Sequence, residues 1–293
     1  MMLRLAATAF ALAAACAAQG SQDGKQPPKP APAATDPQKV LAEMKEQFAK
    51  EGIAFDLQAK TVSVPAVVNK PQDPVEYLLI QKKGKRHEAV FVTMAKPSVL
   101  NAALLLLGLV PGKNAGYVEK KPAPTLEEVQ AGVDPIIVTP PQGEPFYMTV
   151  RWKDAEGKPV EHCVEDLLLD LGTQKPIVDC SWIYLGGRMA QIYRNEPEVY
   201  IADFEGNLIS ICYLSPDNHL ATMVHQNARD DRNWWTTNLL PEAETAVDFV
   251  FHRGESKLHG ERKRRLEKER EREKEKGEAE AKEKEKKPSD GGK

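Results

Sequence analysis

The sequence predicts an α+β fold: a largely antiparallel sheet with two or three packed helices and disordered ends. Three observations carry that expectation. Short runs rich in Val, Ile, Phe and Tyr recur between turn residues through the middle of the chain. Two segments read instead as helices, 37–52 from the helical spacing of its apolar residues and 96–108 from its run of Ala and Leu. The segments 18–36 and 253–293 carry too few apolar groups to join a core.

The chain opens "MMLRLAATAFALAAACAAQGSQ". Arg4 supplies a positive start, Leu5 to Ala15 an apolar run of eleven residues, and small residues follow, the pattern of a secretory signal over 1–17. Such a run is too short to cross a bilayer as a helix. The expected product is periplasmic or secreted. Cys16 closes "LAAAC", which resembles the bacterial lipobox, where the Cys is acylated. That pattern prefers Leu three places before the Cys, and Ala13 stands there. Cleavage after Ala15 or Ala17 is the other route, so a lipid on Cys16 is the one membrane attachment expected. Residues 18–36, with "GSQDGKQPPKPAPAATD", read as a Pro/Ala-rich linker.

A single α+β domain is expected over 37–252. In "DPQKVLAEMKEQFAKEG", Asp36 is the N-cap, Pro37 the first helical residue and Gly52 the stop. Val40, Leu41, Met44 and Phe48 share one face. "KTVSVPAVV" alternates, with Val62, Val64 and Val67 or Val68 inward. "VEYLLIQ" and "EAVFVT" flank "KKGKRH", where Gly84 suits the tight turn of an antiparallel hairpin. "KPSVLNAALLLLGLVPG" is a helix capped by Ser98 and ended by Gly108, apolar nearly all round and therefore expected to be buried on several sides. Residues 111–143 read as a long insertion loop.

"PFYMTVRWKD" is a strand, "DAEGK" a turn, and "HCVEDLLLDL" a short helix with Leu167, Leu168 and Leu171 inward. "SWIYLGGRM", "EVYIADF" and "NLISICYL" are strands, the last two joined in a hairpin at Gly206; "TAVDFVFH" is one more. The segment 253–293 is a charged low-complexity tail, expected to be fraying helix or disorder broken at Gly277.

Charge and cysteines exclude several functions. Sixteen of the 40 basic and twelve of the 43 acidic residues fall in 253–293, which leaves the rest at a net −7. A surface of that sign does not displace counterions from nucleic acid. Cys163, Cys180 and Cys212 form no CxxC, so iron–sulfur clusters and structural zinc lack their usual scaffold, and no cofactor is expected. The three thiols allow one disulfide in any of three pairings, or three buried free thiols.

Residues 68–112, "VNKPQDPVEYLLIQKKGKRHEAVFVTMAKPSVLNAALLLLGLVPG", with "MTVRWKD", "SWIYLGGRM" and "VYIADFEGNLISI" after them, resemble the YdjY-domain family of bacterial exported proteins. The resemblance covers about 60–215 and implies an α+β domain outside the cytoplasm; it implies no activity. Members often carry a further His before "AALLLLGL", where this chain has Val99, Leu100 and Asn101.

The candidate polar site is His87 with Glu88 or Glu76. Adjacent residues of a strand point to opposite faces, so His87 and Glu88 could not converge there, and Glu76 is the better partner by facing. Such a carboxylate orients an imidazole in metal and hydrolytic sites. The other histidines show no HExxH or HxH pattern. A metal site would require the fold to gather distant residues. Trp234 and Trp235, in "DDRNWWTTN", are either stacking platforms for a ligand or one buried anchor beside one rim residue. Asp203, Glu205 and Asn207 alternate as oxygen ligands do, but are too few for a calcium loop. The expected role is therefore non-enzymatic binding or scaffolding in the cell envelope, toward an envelope partner; the alternative is a metal-binding or hydrolytic site at His87.

Overall fold

The computed structural model describes residues 36–69 and 73–286. The expected leader, Cys16 and most of the expected linker lie outside the described residues. The chain divides into two compact units, Met1–Leu41 and Ala42–Lys293. In the first, helix α1 (Pro37–Lys50) begins, with the Val40 amide donating to the Asp36 carbonyl at 3.1 Å. In the second, α1 buries Phe48, which stacks on Phe55, and Gly52 ends the helix at φ 72°.

The strands then follow: β1 (Ala54–Asp56), β2 (Thr61–Val68), β3 (Tyr77–Gln81) and β4 (Ala89–Thr93) precede helix α2 (Pro97–Leu107). The stretch expected as a loop instead holds β5 (Gly116–Glu119), the short helix α3 (Leu126–Gln130) and β6 (Ile136–Thr139). Next come β7 (Pro145–Lys153), β8 (Pro159–Cys163), β9 (Leu168–Asp170), β10 (Lys175–Pro176), β11 (Ser181–Tyr184), β12 (Met189–Ala190) and β13 (Val199–Tyr200). Helix α4 (Ile201–Glu205), β14 (Asn207–Ser210), β15 (Ala221–Val224), β16 (Trp234–Thr236), β17 (Ala246–His252) and the long helix α5 (Lys257–Lys286) complete the chain.

Eight strands close into a barrel in the order β2-β17-β7-β11-β15-β14-β3-β4, with β4 returning to β2; β1 and β8 pair outside this ring, on β2 and β7. Alternation decides the core. Val62, Val64, Ala66 and Val68 of β2 are buried, and Val64 and Val62 lie opposite Phe249 and Phe251. Those phenylalanines lie in turn opposite Val150 and Met148 of β7. Phe249 meets Phe91 of β4 edge-on at 5.7 Å.

The sheet is antiparallel only in part, because the β3–β4 and β14–β15 seams are parallel. The expected hairpin at Gly84 does not form: Tyr77 pairs with Ala89 and Gln81 with Thr93, in the same direction. Seven residues link them, enough at about 3.3 Å each to run back along a five-residue strand. Nor does Gly206 turn a hairpin, since "IADFE" is α4, which Gly206 ends at φ 80°. The two glycines meet instead: a Cβ on Gly84 would stand 2.8 Å from the Gly206 carbonyl oxygen. Only residues without side chains let these backbones approach so closely.

Three further expectations are corrected. "HCVEDLLLDL" is the end of β8, a 3₁₀ turn (Val164–Leu167) and β9. Ser98 does not cap its own helix; its amide and hydroxyl both bind the Asp203 carboxylate at 2.7 Å, which places negative charge at the start of α2. Helix α2 buries one face, Leu100, Ala103, Leu104 and Leu107, and leaves Leu105 and Leu106 exposed.

The charged tail is an unbroken helix through Gly277, and its beginning is docked. Arg262 Nε donates to Asp166 Oδ1 at 2.8 Å, and Arg265 Nη2 reaches both Asp166 oxygens at 3.0 Å. Arg270 pairs with Asp179, and Lys175 with Glu273. Arg262 and Asp166 side chains are 12% and 11% exposed. Asp166→Ala should therefore cost about 3 kcal/mol by stranding a buried guanidinium. Amide exchange should accelerate along 257–270 and stay slow in β7 and β17; equal protection of the helix in the variant would place its anchor elsewhere.

Candidate functional site

The segment between β3 and β4 folds as a 3₁₀ turn, Arg86–Glu88. His87 and Glu88 therefore do not alternate across a strand, and they converge after all: His87 Nε2 lies 3.0 Å from Glu88 Oε1. Glu76, just before β3, partners Glu88 and not His87. Its amide donates to the Glu88 carbonyl at 2.9 Å, and the two carboxyls share a hydrogen bond. Lys85 Nζ bridges them, 3.2 Å from Glu88 Oε2 and 3.6 Å from Glu76 Oε2, and lies over the Tyr77 ring at 5.6 Å.

Electrostatics assigns the shared proton to Glu76. Burial and the adjacent Glu88 hold Glu76 above the usual carboxylate range. Burial also pushes Glu88 upward, but the hydrogen bonds from Glu76 and Lys85 outweigh it and leave Glu88 below that range. Burial lowers Lys85, and the two carboxyls more than reverse it, so its pKa is raised. The result is a polar clamp joining the start of β3 to the turn that feeds β4. His87 stands at its rim with 71% of its side chain exposed.

The other predicted residues go elsewhere. Trp234 is fully buried, meeting His225 edge-on at 5.2 Å, while Trp235 is half-buried. Trp234 is thus a core residue with no face to offer a ligand. Asp203 is engaged by Ser98 and by Lys96 at 3.2 Å, and Glu205 accepts from Asn218 at 2.7 Å and from Asn207 at 3.3 Å. His219 is buried, and burial pushes its imidazole down to about 4. Asn101 accepts a hydrogen bond from the Tyr184 hydroxyl. Cys163, Cys180 and Cys212 are all free thiols.

One cluster has no counterpart in the sequence expectations. Cys163 ends β8, Glu165 follows in the 3₁₀ turn, and His259 comes from the first turns of α5. Their ligating atoms lie within 4.8 Å of one another, and all three residues are buried. Glu165 Oε1 accepts from Trp182 Nε1 at 2.9 Å, which leaves Oε2 buried without a partner. His259 Nδ1 lies 2.6 Å from Ser256 Oγ, which leaves Nε2 likewise. Burial raises the Cys163 thiol and the Glu165 carboxyl. It lowers the His259 imidazole against the pull of the Met148 carbonyl. Spacing could not reveal this group, since its third member lies in a run that reads as solvated charge.

The clamp makes a pH prediction. A folded-state pKa above the unfolded value means that the folded state holds the extra proton, so stability falls as pH rises from the unfolded Glu value through the folded one. Glu76→Gln cannot ionise and keeps a donor toward Glu88. The variant should be more stable than the parent above about pH 5, by less than about 1 kcal/mol at this partly buried site beside solvent. Denaturant titrations between about pH 4 and 7 measure the difference; parallel curves for the two proteins would refute the shared proton.

A family model for the YdjY domain matches residues 53–252, from the residue before β1 to the last residue of β17. No curated protein matches the chain, and no solved structure matches it. The matched region contains every strand of the barrel and stops before α5. The chain belongs to the YdjY-domain family.

Proposed function

We propose that this protein is an exported, non-enzymatic binding domain of the cell envelope, whose contact surface for a protein partner is the excursion between β5 and β6. The observation that carries it is an ordered apolar surface facing solvent. Strands β5 and β6 form a two-stranded ribbon in which Val118 lies opposite Ile137. One face of the ribbon packs down: Val138 joins the core, and the Tyr117 hydroxyl donates to the Tyr213 carbonyl at 2.6 Å. The other face is bare, with Val118 60% and Ile137 50% exposed.

Helix α3 adds to this surface. Its start is locked by a capping box between Thr125 and Glu128, yet it buries none of its residues. Leu126 and Val129, one turn apart, are exposed. Ordered exposed patches of this kind on a single protein mark interaction surfaces. A shallow groove of about 450 Å³ runs beside the ribbon, lined by Ile136, Val138, Tyr213, Val224 and His225. Export rests on Arg4, the apolar run Leu5 to Ala15 and the linker that follows.

Two measurements test this. A photo-crosslinking residue placed at Val118 or Leu126 in the native host should give one discrete heavier product, and the same residue at Glu156, in a polar turn, should give none. Identical patterns at all three positions would reject the surface. Cell fractionation with radiolabelled palmitate addresses export. A processed chain outside the cytoplasm is expected, and label lost in Cys16→Ser would identify the anchored form. Intact chain in the cytosol would reject export.

A further inference from the structure

We propose that Cys163, Glu165 and His259 form a binding site for a divalent transition-metal cation of the zinc type, which pins α5 to the barrel. The site is independent of the excursion surface. The family match ends at residue 252, so two ligands come from the YdjY domain and the third from the helix beyond it.

Geometry carries the inference. Three side chains from three elements converge, with their ligating atoms within 4.8 Å of one another. Two of those side chains, Glu165 at 5% and His259 at 7% exposure, each hold a buried atom without a partner, Oε2 and Nε2. Unpaired polar atoms in a protein interior are costly, and a bound cation would satisfy both. Each ligand is also held from behind. Trp182 Nε1 fixes the far oxygen of Glu165, and Ser256 Oγ fixes the far nitrogen of His259. An imidazole oriented through its second nitrogen is the usual support for a metal ligand.

The donor set selects the ion. One sulfur, one nitrogen and one oxygen suit zinc or its cobalt substitute and not the oxygen-seeking magnesium or calcium. Zinc bonds of about 2.0–2.3 Å would draw the three donors in by about 1 Å. A divalent ion with a thiolate and a carboxylate forms a neutral unit, which a buried position tolerates. The neighbouring Arg262 is paired with Asp166 at 2.8 Å, which offsets part of its repulsion of the ion. A fourth position is left for a water molecule, as at zinc sites with three protein ligands.

Titration of the purified full chain with cobalt(II) chloride tests the site. One equivalent should produce intense visible bands of a tetrahedral ion and a near-ultraviolet thiolate-to-cobalt band, both abolished by added zinc. Cys163→Ser should remove the thiolate band, Cys180→Ser and Cys212→Ser should keep it, and Glu165→Gln or His259→Asn should weaken binding at least tenfold. Zinc should raise the melting temperature of the parent more than that of Glu165→Gln. A folded parent chain that gives no thiolate band at saturating cobalt overturns the proposal, whatever the variants do. So does a band that survives in Cys163→Ser.

Discussion

The seam between β2 and β4 is the constraint on which the rest of the barrel depends. Without it β4 would be an open edge presenting unpaired amides and carbonyls. Pairing Val68 with Phe91 and Ala66 with Thr93 closes the ring. It also brings β4 beside β2, which on its other side pairs with β17, and sets Phe91 against Phe249 at 5.7 Å. Closure explains the parallel direction of β3 and β4. Strand β4 must serve β3 on one side and run antiparallel to β2 on the other. A hairpin at Gly84 would reverse β4 and break the second pairing.

The helix after the barrel is held by different physics. Helix α5 carries few apolar side chains, so it buries little that the hydrophobic effect could reward. Its first turns dock through charge: one nearly buried carboxylate, Asp166, receives two guanidinium groups. Such an arrangement depends on its carboxylate, because removing Asp166 leaves the buried Arg262 guanidinium without its ion pair. The same turns carry His259 into the interior beside Cys163 and Glu165. Docking of the helix and assembly of that cluster are therefore one event.

Most polar groups that first attract notice are committed to structure. Lys85 bridges Glu76 and Glu88, Asp203 holds the first turn of α2, and Glu205 serves Asn218. Glu165 and His259 instead keep uncommitted capacity side by side: each has one atom satisfied and one buried without a partner, and their ligating atoms lie within 4.8 Å of each other. On the outside, Val118, Ile137 and Leu126 show the apolar equivalent, side chains ordered by their backbone yet not covered.

Much of the fold was legible in the chain itself. Period-two alternation marked β2, strand-forming runs marked β7 and β17, and the Ala/Leu run with its Gly108 stop marked α2, because those signals are local. The YdjY resemblance rested on local runs and was met by the family match over 53–252. Strand direction was not legible, since a short link between two strands permits either a hairpin or a return crossover, and only the β2–β4 seam decides between them. The polar site divided in the same way. Sequence adjacency showed that His87 and Glu88 are neighbours, but a strand was assumed where a 3₁₀ turn lets them meet. Cys163, Glu165 and His259 had no sequence signature at all. Residues about 94 positions apart become neighbours only through the docking of α5, and that contact belongs to the tertiary structure alone.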